Sequence, residues 1–159
     1  MAFKDYTFLS YVFLATTVIL FAGPAHAGLC DNAPNKQVCE SIVYHRTDPR
    51  DGVLASMHKL VSQTRDGKVV AQKYDKSLGA VQCINEFNGA IEDAKGALKD
   101  LSNNDLSTLK NDITAAKNHF DKCNKGFQGY GETNPFPKTT KLLEDIASVG
   151  LYLANLIKL

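Results

Sequence analysis

Four cysteines, Cys30, Cys39, Cys83 and Cys123, constrain this 159-residue chain most, because all four follow a stretch that reads as a secretory signal peptide. Met1 to Lys4 gives a short n-region, and Tyr6 to Ala22 is almost wholly apolar or small. Gly23-Pro24 breaks any helix there, and Ala25-His26-Ala27 supplies small residues at −3 and −1 of a cleavage site before Gly28. A retained anchor is the rival, since 17 apolar residues stand at the lower edge of what spans a bilayer. The small-residue site directly after a helix breaker favours cleavage. The expected organisation is therefore a signal peptide over 1–27 and one domain over 28–159. An even cysteine count in an oxidising compartment predicts two disulfides. Zinc is the competing use, with His119 four residues before Cys123, but no C-x2-C pair exists and no metal site is expected.

The 132 residues after Ala27 suffice for one hydrophobic core. The leader carries one Lys and one Asp, so the formal charge stays near +1 without it. A nearly neutral domain with no dense basic run has no footprint for nucleic acid, and nothing after the leader calls for a membrane. The chain lacks Trp and has no N-x-S/T sequon.

Apolar spacing points to helices. Val81, Ile84, Phe87, Ile91, Ala94, Leu98 and Leu101 recur every three or four residues, as do Leu106, Leu109, Ile113, Ala116, Phe120, Cys123 and Phe127. A third stripe runs through Leu142, Ile146, Val149, Leu153 and Leu156. The weakest, Val53/Leu54, Met57, Leu60/Val61 and Thr64, is expected to stop at Asp66-Gly67. Ser102-Asn103-Asn104-Asp105 offers an N-cap, Gly126 to Pro137 reads as a loop, and Thr139 or Thr140 is expected to cap the last helix. Short connections between amphipathic helices of similar length predict an all-α, up-down-up-down four-helix bundle over 51–159. Residues 28–50 form a separate N-terminal piece. Four cysteines allow three pairings, and sequence alone does not choose among them. A local Cys30–Cys39 bridge would close a small loop, leaving Cys83 and Cys123 on neighbouring stripes where a bridge is geometrically feasible.

Catalytic equipment is scarce. No G-x-S-x-G, H-E-x-x-H, P-loop or dinucleotide-binding glycine pattern occurs, so no enzyme activity and no cofactor are expected. His58 and His119 read as exposed or half-exposed helix residues. Glu92, Asp93, Asp100, Asp105 and Asp112 read as scattered solvated carboxylates. Asn134-Pro135-Phe136-Pro137 reads first as a structural stop between helices and second as a recognition segment. Secreted bundles of this kind act mostly by presenting a helix face to another protein.

The spacing Cys30-x8-Cys39 followed by Cys83-x39-Cys123 resembles the plant invertase and pectin methylesterase inhibitor family. Asp48-Pro49-Arg50 matches the D-P-R after the second cysteine in many members. Ala115-Ala116, Phe127 and the Leu/Ala/Asn-rich stretch Ile146 to Leu156 fit as well. The resemblance implies pairing of Cys30 with Cys39 and Cys83 with Cys123, and an N-terminal helical hairpin on the bundle. It implies a secreted, apoplastic or cell-wall inhibitor that docks non-covalently, in a 1:1 complex, on a carbohydrate-active enzyme and blocks its cleft. Invertase inhibitors often carry Pro-Lys-Phe between the third and fourth cysteines. Here that region reads Asp105-Leu106-Ser107-Thr108-Leu109-Lys110, which favours pectin methylesterase. The Pro-Phe after Cys123 favours a cell-wall or vacuolar invertase inhibitor instead. A third reading is a non-inhibitory secreted signalling, storage or ligand-binding bundle. Candidate contacts are polar positions on the second and third bundle helices: Asn88, Glu92, Lys95, Lys110, Asn111, Thr114 and Lys117. Two departures stand out. Arg50 to Cys83 is about 14 residues shorter than the family pattern, close to two heptads, so the first bundle helix can shorten in register. Lys122 also stands where a small hydroxyl residue is common.

Overall fold

Helix boundaries are set by side chains that replace missing backbone partners. A computed structural model describes residues 28–158, so the expected signal peptide lies outside the described residues. Five helices follow: α1 (Lys36–Val43), α2 (Pro49–Gln72), α3 (Leu78–Ser102), α4 (Leu106–Gly129) and α5 (Pro137–Leu156). Asn35 caps α1 by accepting from Val38 N at 3.1 Å, and Asp48 caps α2 by accepting from Arg50 N at 2.8 Å. Ser77 and Asp105 cap α3 and α4, each accepting from a backbone N–H at 3.0 Å.

The four long helices form a ring in which α2 packs on α3 and α5, and α4 packs on α3 and α5. This is the expected antiparallel bundle. Among the described residues no strand occurs. The ring encloses one core in which Phe87, Phe120, Phe127, Met57, Leu60, Ile113 and Leu153 are fully buried. The N-terminal segment holds a single described helix: the turns over 28–35 fold back along α1 under a Cys30–Cys39 bridge. Ile42 and Val43 bury against the bundle, while Asn35 Nδ2 donates to Asp145 of α5 at 3.0 Å.

Three boundaries differ from the sequence expectation, each for a packing reason. Helix α2 passes through Asp66-Gly67 and ends at Gln72, so it matches α3 and α4 in length. Gly67 is a close-approach residue: a Cβ there would stand 3.1 Å from Thr139 Cγ2 and 3.5 Å from Phe87 Cε2. Helix α4 likewise continues through Gly126, where a Cβ would meet the Gln82 side chain at 2.7 Å. It stops only at Gly131 (φ 65°), where Gly131 N donates to Gln128 O and Glu132 N to Phe127 O, a Schellman closure. Helix α5 starts at Pro137 without a side-chain cap. Thr140 is buried instead, donating to Asn124 Oδ1 at 3.0 Å and holding α5 against α4.

Candidate partner-binding face

The most intimate helix pair is α3 with α4, joined by the Cys83–Cys123 disulfide with Cα atoms 4.4 Å apart. Three glycines along α3 permit that approach. A Cβ on Gly79 would overlap the Phe127 ring, one on Gly89 would overlap the His119 imidazole, and one on Gly96 would overlap the Asp112 carboxylate. The side chains that occupy these gaps give the seam its chemistry.

His119 is the centre of it. Its Nδ1 lies 2.6 Å from Glu86 Oε2 and its Nε2 lies 3.2 Å from Asp93 Oδ2, so one imidazole from α4 bridges two carboxylates of α3. One heptad along, Asp112 of α4 faces Asp100 of α3. Burial pushes the Asp112 carboxyl above the usual carboxylate range, and the Asp100 charge pushes it the same way. The carboxylates read from sequence as scattered thus converge in part on one seam. His119 is half-exposed, as expected, but it is held by two carboxylates, one of them Glu86, which is not among the expected site residues. The seven-residue spacings Asp93/Asp100 and Asp112/His119 were the signal that could have found the arrangement.

The seven candidate contacts do not form one patch. Asn88, Glu92 and Lys95 are exposed on α3, and Asn88 accepts from Lys68 Nζ of α2 at 2.8 Å, which sets it on the α2 side. Glu92 pairs with Lys95 at 2.8 Å. On α4, Asn111 and Thr114 are exposed, while Lys110 and Lys117 are half-buried. Lys117 lines a cleft with Asn118, Asp121 and Glu144, which sets it on the α5 side. The two stripes therefore flank the His119 seam. Lys122 is exposed and borders a second cleft with Gln82, Lys125 and Tyr130.

A larger open cleft, about 550 Å³, lies where α4, its following loop and α5 meet. Asn124 joins its walls, donating to Glu144 Oε1 at 3.0 Å and accepting from Asn134 Nδ2 at 2.8 Å. Burial raises the Glu144 carboxyl above its ordinary range. Phe136, from the Pro-flanked segment, is only 6% exposed and packs on Tyr74, Phe87 and Phe127 with ring centroids 5.6–6.4 Å apart. Among the described residues, no group of three or more potential ligands is placed to hold a metal, and no helix is long and apolar enough to cross a membrane.

A family model described as plant invertase/pectin methylesterase inhibitor matches residues 25–153. No curated protein matches in sequence. Among solved structures, a mutant form of a pectin methylesterase inhibitor from Arabidopsis aligns with a TM-score of 0.72 at 14% identity, over 82% of this chain and 95% of that one. Another pectin methylesterase inhibitor, from Arabidopsis thaliana, aligns with a TM-score of 0.64 at 14% identity, over 81% and 93%. At such identity the likeness is one of fold.

Proposed function

Because this chain belongs to the plant invertase/pectin methylesterase inhibitor family, we propose that it is a secreted, non-enzymatic inhibitor of pectin methylesterase. It docks non-covalently, one inhibitor to one enzyme, and blocks the substrate cleft. The mature protein begins at Gly28 and acts in the apoplast. In that form the new amino group stands beside Asp31, whose Oδ2 accepts from Gly28 N at 2.7 Å.

The burial of Phe136 carries the choice of target. The Pro-Phe segment was the feature that favoured invertase, and an aromatic held inside a cluster of rings is a packing element rather than a recognition handle. With that feature absorbed, the missing Pro-Lys-Phe motif in α4 stands unopposed. The docking surface is the α3–α4 face, where polar stripes flank a seam fixed by a disulfide and a bridged histidine, so a partner meets a preformed surface.

Titration of purified, oxidised protein from Gly28 onward against both enzymes tests the reading. Loss of pectin methylesterase activity near equimolar inhibitor supports it. Loss of invertase activity alone reassigns the target. A folded sample without effect on either enzyme overturns inhibition and leaves a signalling, storage or ligand-binding bundle.

A further inference from the structure

The α3–α4 seam presents a polar layer about every seven residues, and the layers differ in charge. At one, His119 meets Asp93 and Glu86, a base against two acids. At the next, Asp112 meets Asp100, an acid against an acid. That second layer is half-buried. The Asp112 carboxylate lies over Gly96, with its Cγ 3.3 Å from where a Cβ would stand, and Asp100 Oδ2 is buried without a hydrogen-bond partner. A buried carboxylate oxygen facing a second carboxylate is unfavourable unless a hydrogen stands between them.

We propose that Asp100 and Asp112 hold one proton between them and act as an acid-favoured fastener joining α3 to α4. The proton comes from solvent as pH falls. It resides on the Asp112 carboxyl, donates to Asp100 Oδ2 and leaves the pair with one negative charge. When it departs at higher pH, two charges face each other across the seam with Asp93 adding a third. The other neighbours do not relieve this. His119 is taken up by Glu86 and Asp93, and Arg50 of α2 donates to the Leu101 carbonyl at 2.7 Å rather than to Asp100. The raised position of the Asp112 carboxyl, from burial first and the Asp100 charge second, has the same sign. A carboxyl that binds its proton more tightly folded than unfolded favours folding as pH falls and opposes it as pH rises through the folded value. The two helices concerned carry all seven candidate contacts, so the fastener sits beneath the proposed docking face without depending on it.

Urea unfolding of the oxidised protein from about pH 3 to about pH 7 tests this, spanning the ordinary aspartate value and the raised one, compared with Asp112→Asn, whose amide donates to Asp100 at every pH. As pH rises across that range, the wild-type midpoint is expected to lose ground relative to the variant's. The difference between the two removes what other groups contribute. Parallel profiles would overturn the fastener. Carboxyl carbon NMR of the wild type gives a second reading that needs no substitution: the Asp112 carboxyl should titrate above the ordinary aspartate value of about 3.9. Titration of Asp112 at or below that ordinary value would equally overturn it.

Discussion

Glu132 caps the N-terminus of α3 from 53 residues away: its Oε2 accepts from Gly79 N at 3.1 Å while its Oε1 accepts from Leu78 N at 3.2 Å. The Ser77 hydroxyl donates to the same carboxylate. A side chain from the loop after α4 thus answers the orphan N–H groups of another helix and sets a negative charge at its positive end. These contacts, Ser77 first, hold Glu132 below the usual carboxylate range. A lowered folded value contributes stability above the unfolded value, and that contribution is lost as pH falls through the folded one. Glu132→Gln should therefore lower the thermal midpoint at neutral pH and converge with the wild type in strong acid. Thermal unfolding at a series of pH values checks it, and curves that stay separated in acid would remove the charge from the account.

Glycines that look alike in sequence should respond in opposite ways to alanine. A Cβ on Gly79 would stand 2.7 Å from Phe127 Cγ, in a ring pinned by Phe136 and the α3–α4 disulfide. Gly79→Ala should cost about 1–3 kcal/mol through overpacking. Nothing lies within 4 Å of a Cβ on Gly129, in the last turn of α4. Gly129→Ala should be neutral or stabilising by up to about 1 kcal/mol through helix propensity. Urea midpoints of the two variants decide it.

The apolar stripes were legible because each long helix buries one face, and burial imposes a period that sequence displays directly. Thus Phe87, Ile113, Phe120 and Leu153 lie where their spacing put them. Gly67 and Gly126 misled because a glycine that breaks a helix and one that lets two helices touch are the same letter. Only the neighbouring element, Thr139 for one and Gln82 for the other, tells them apart. The polar seam was hidden for a related reason. Asp93 and His119 meet only once α3 and α4 are set antiparallel in register, and that register depends on a pairing of cysteines that sequence left open.

Phe136 separates packing from recognition in one experiment. Its ring fills the space between Tyr74, Phe87 and Phe127, so Phe136→Ala should destabilise the fold by about 3–5 kcal/mol. Measured well below the unfolding midpoint, the variant should still inhibit pectin methylesterase with little change. Full stability with lost inhibition would return the Pro-Phe segment to a recognition role and reopen the invertase reading.

The two stripes beside the His119 seam predict how the enzyme sits. A partner laid across α3 and α4 touches both, whereas one set against the α2–α3 edge, where Lys68 meets Asn88, touches only the first. Lys95 and Lys117 report on the two sides. Reversing either charge should leave folding stability within about 0.5 kcal/mol, apart from the few tenths that the Glu92–Lys95 pair contributes. For docking across the seam, Lys95→Glu and Lys117→Glu should each weaken inhibition at least about fivefold, roughly 1 kcal/mol. The losses should add, since the residues share no partner. Inhibition constants of the single and double variants check this. An effect of Lys95→Glu without one of Lys117→Glu would shift the interface to the α2 edge, where the His119 bridge could support the surface but not touch the enzyme.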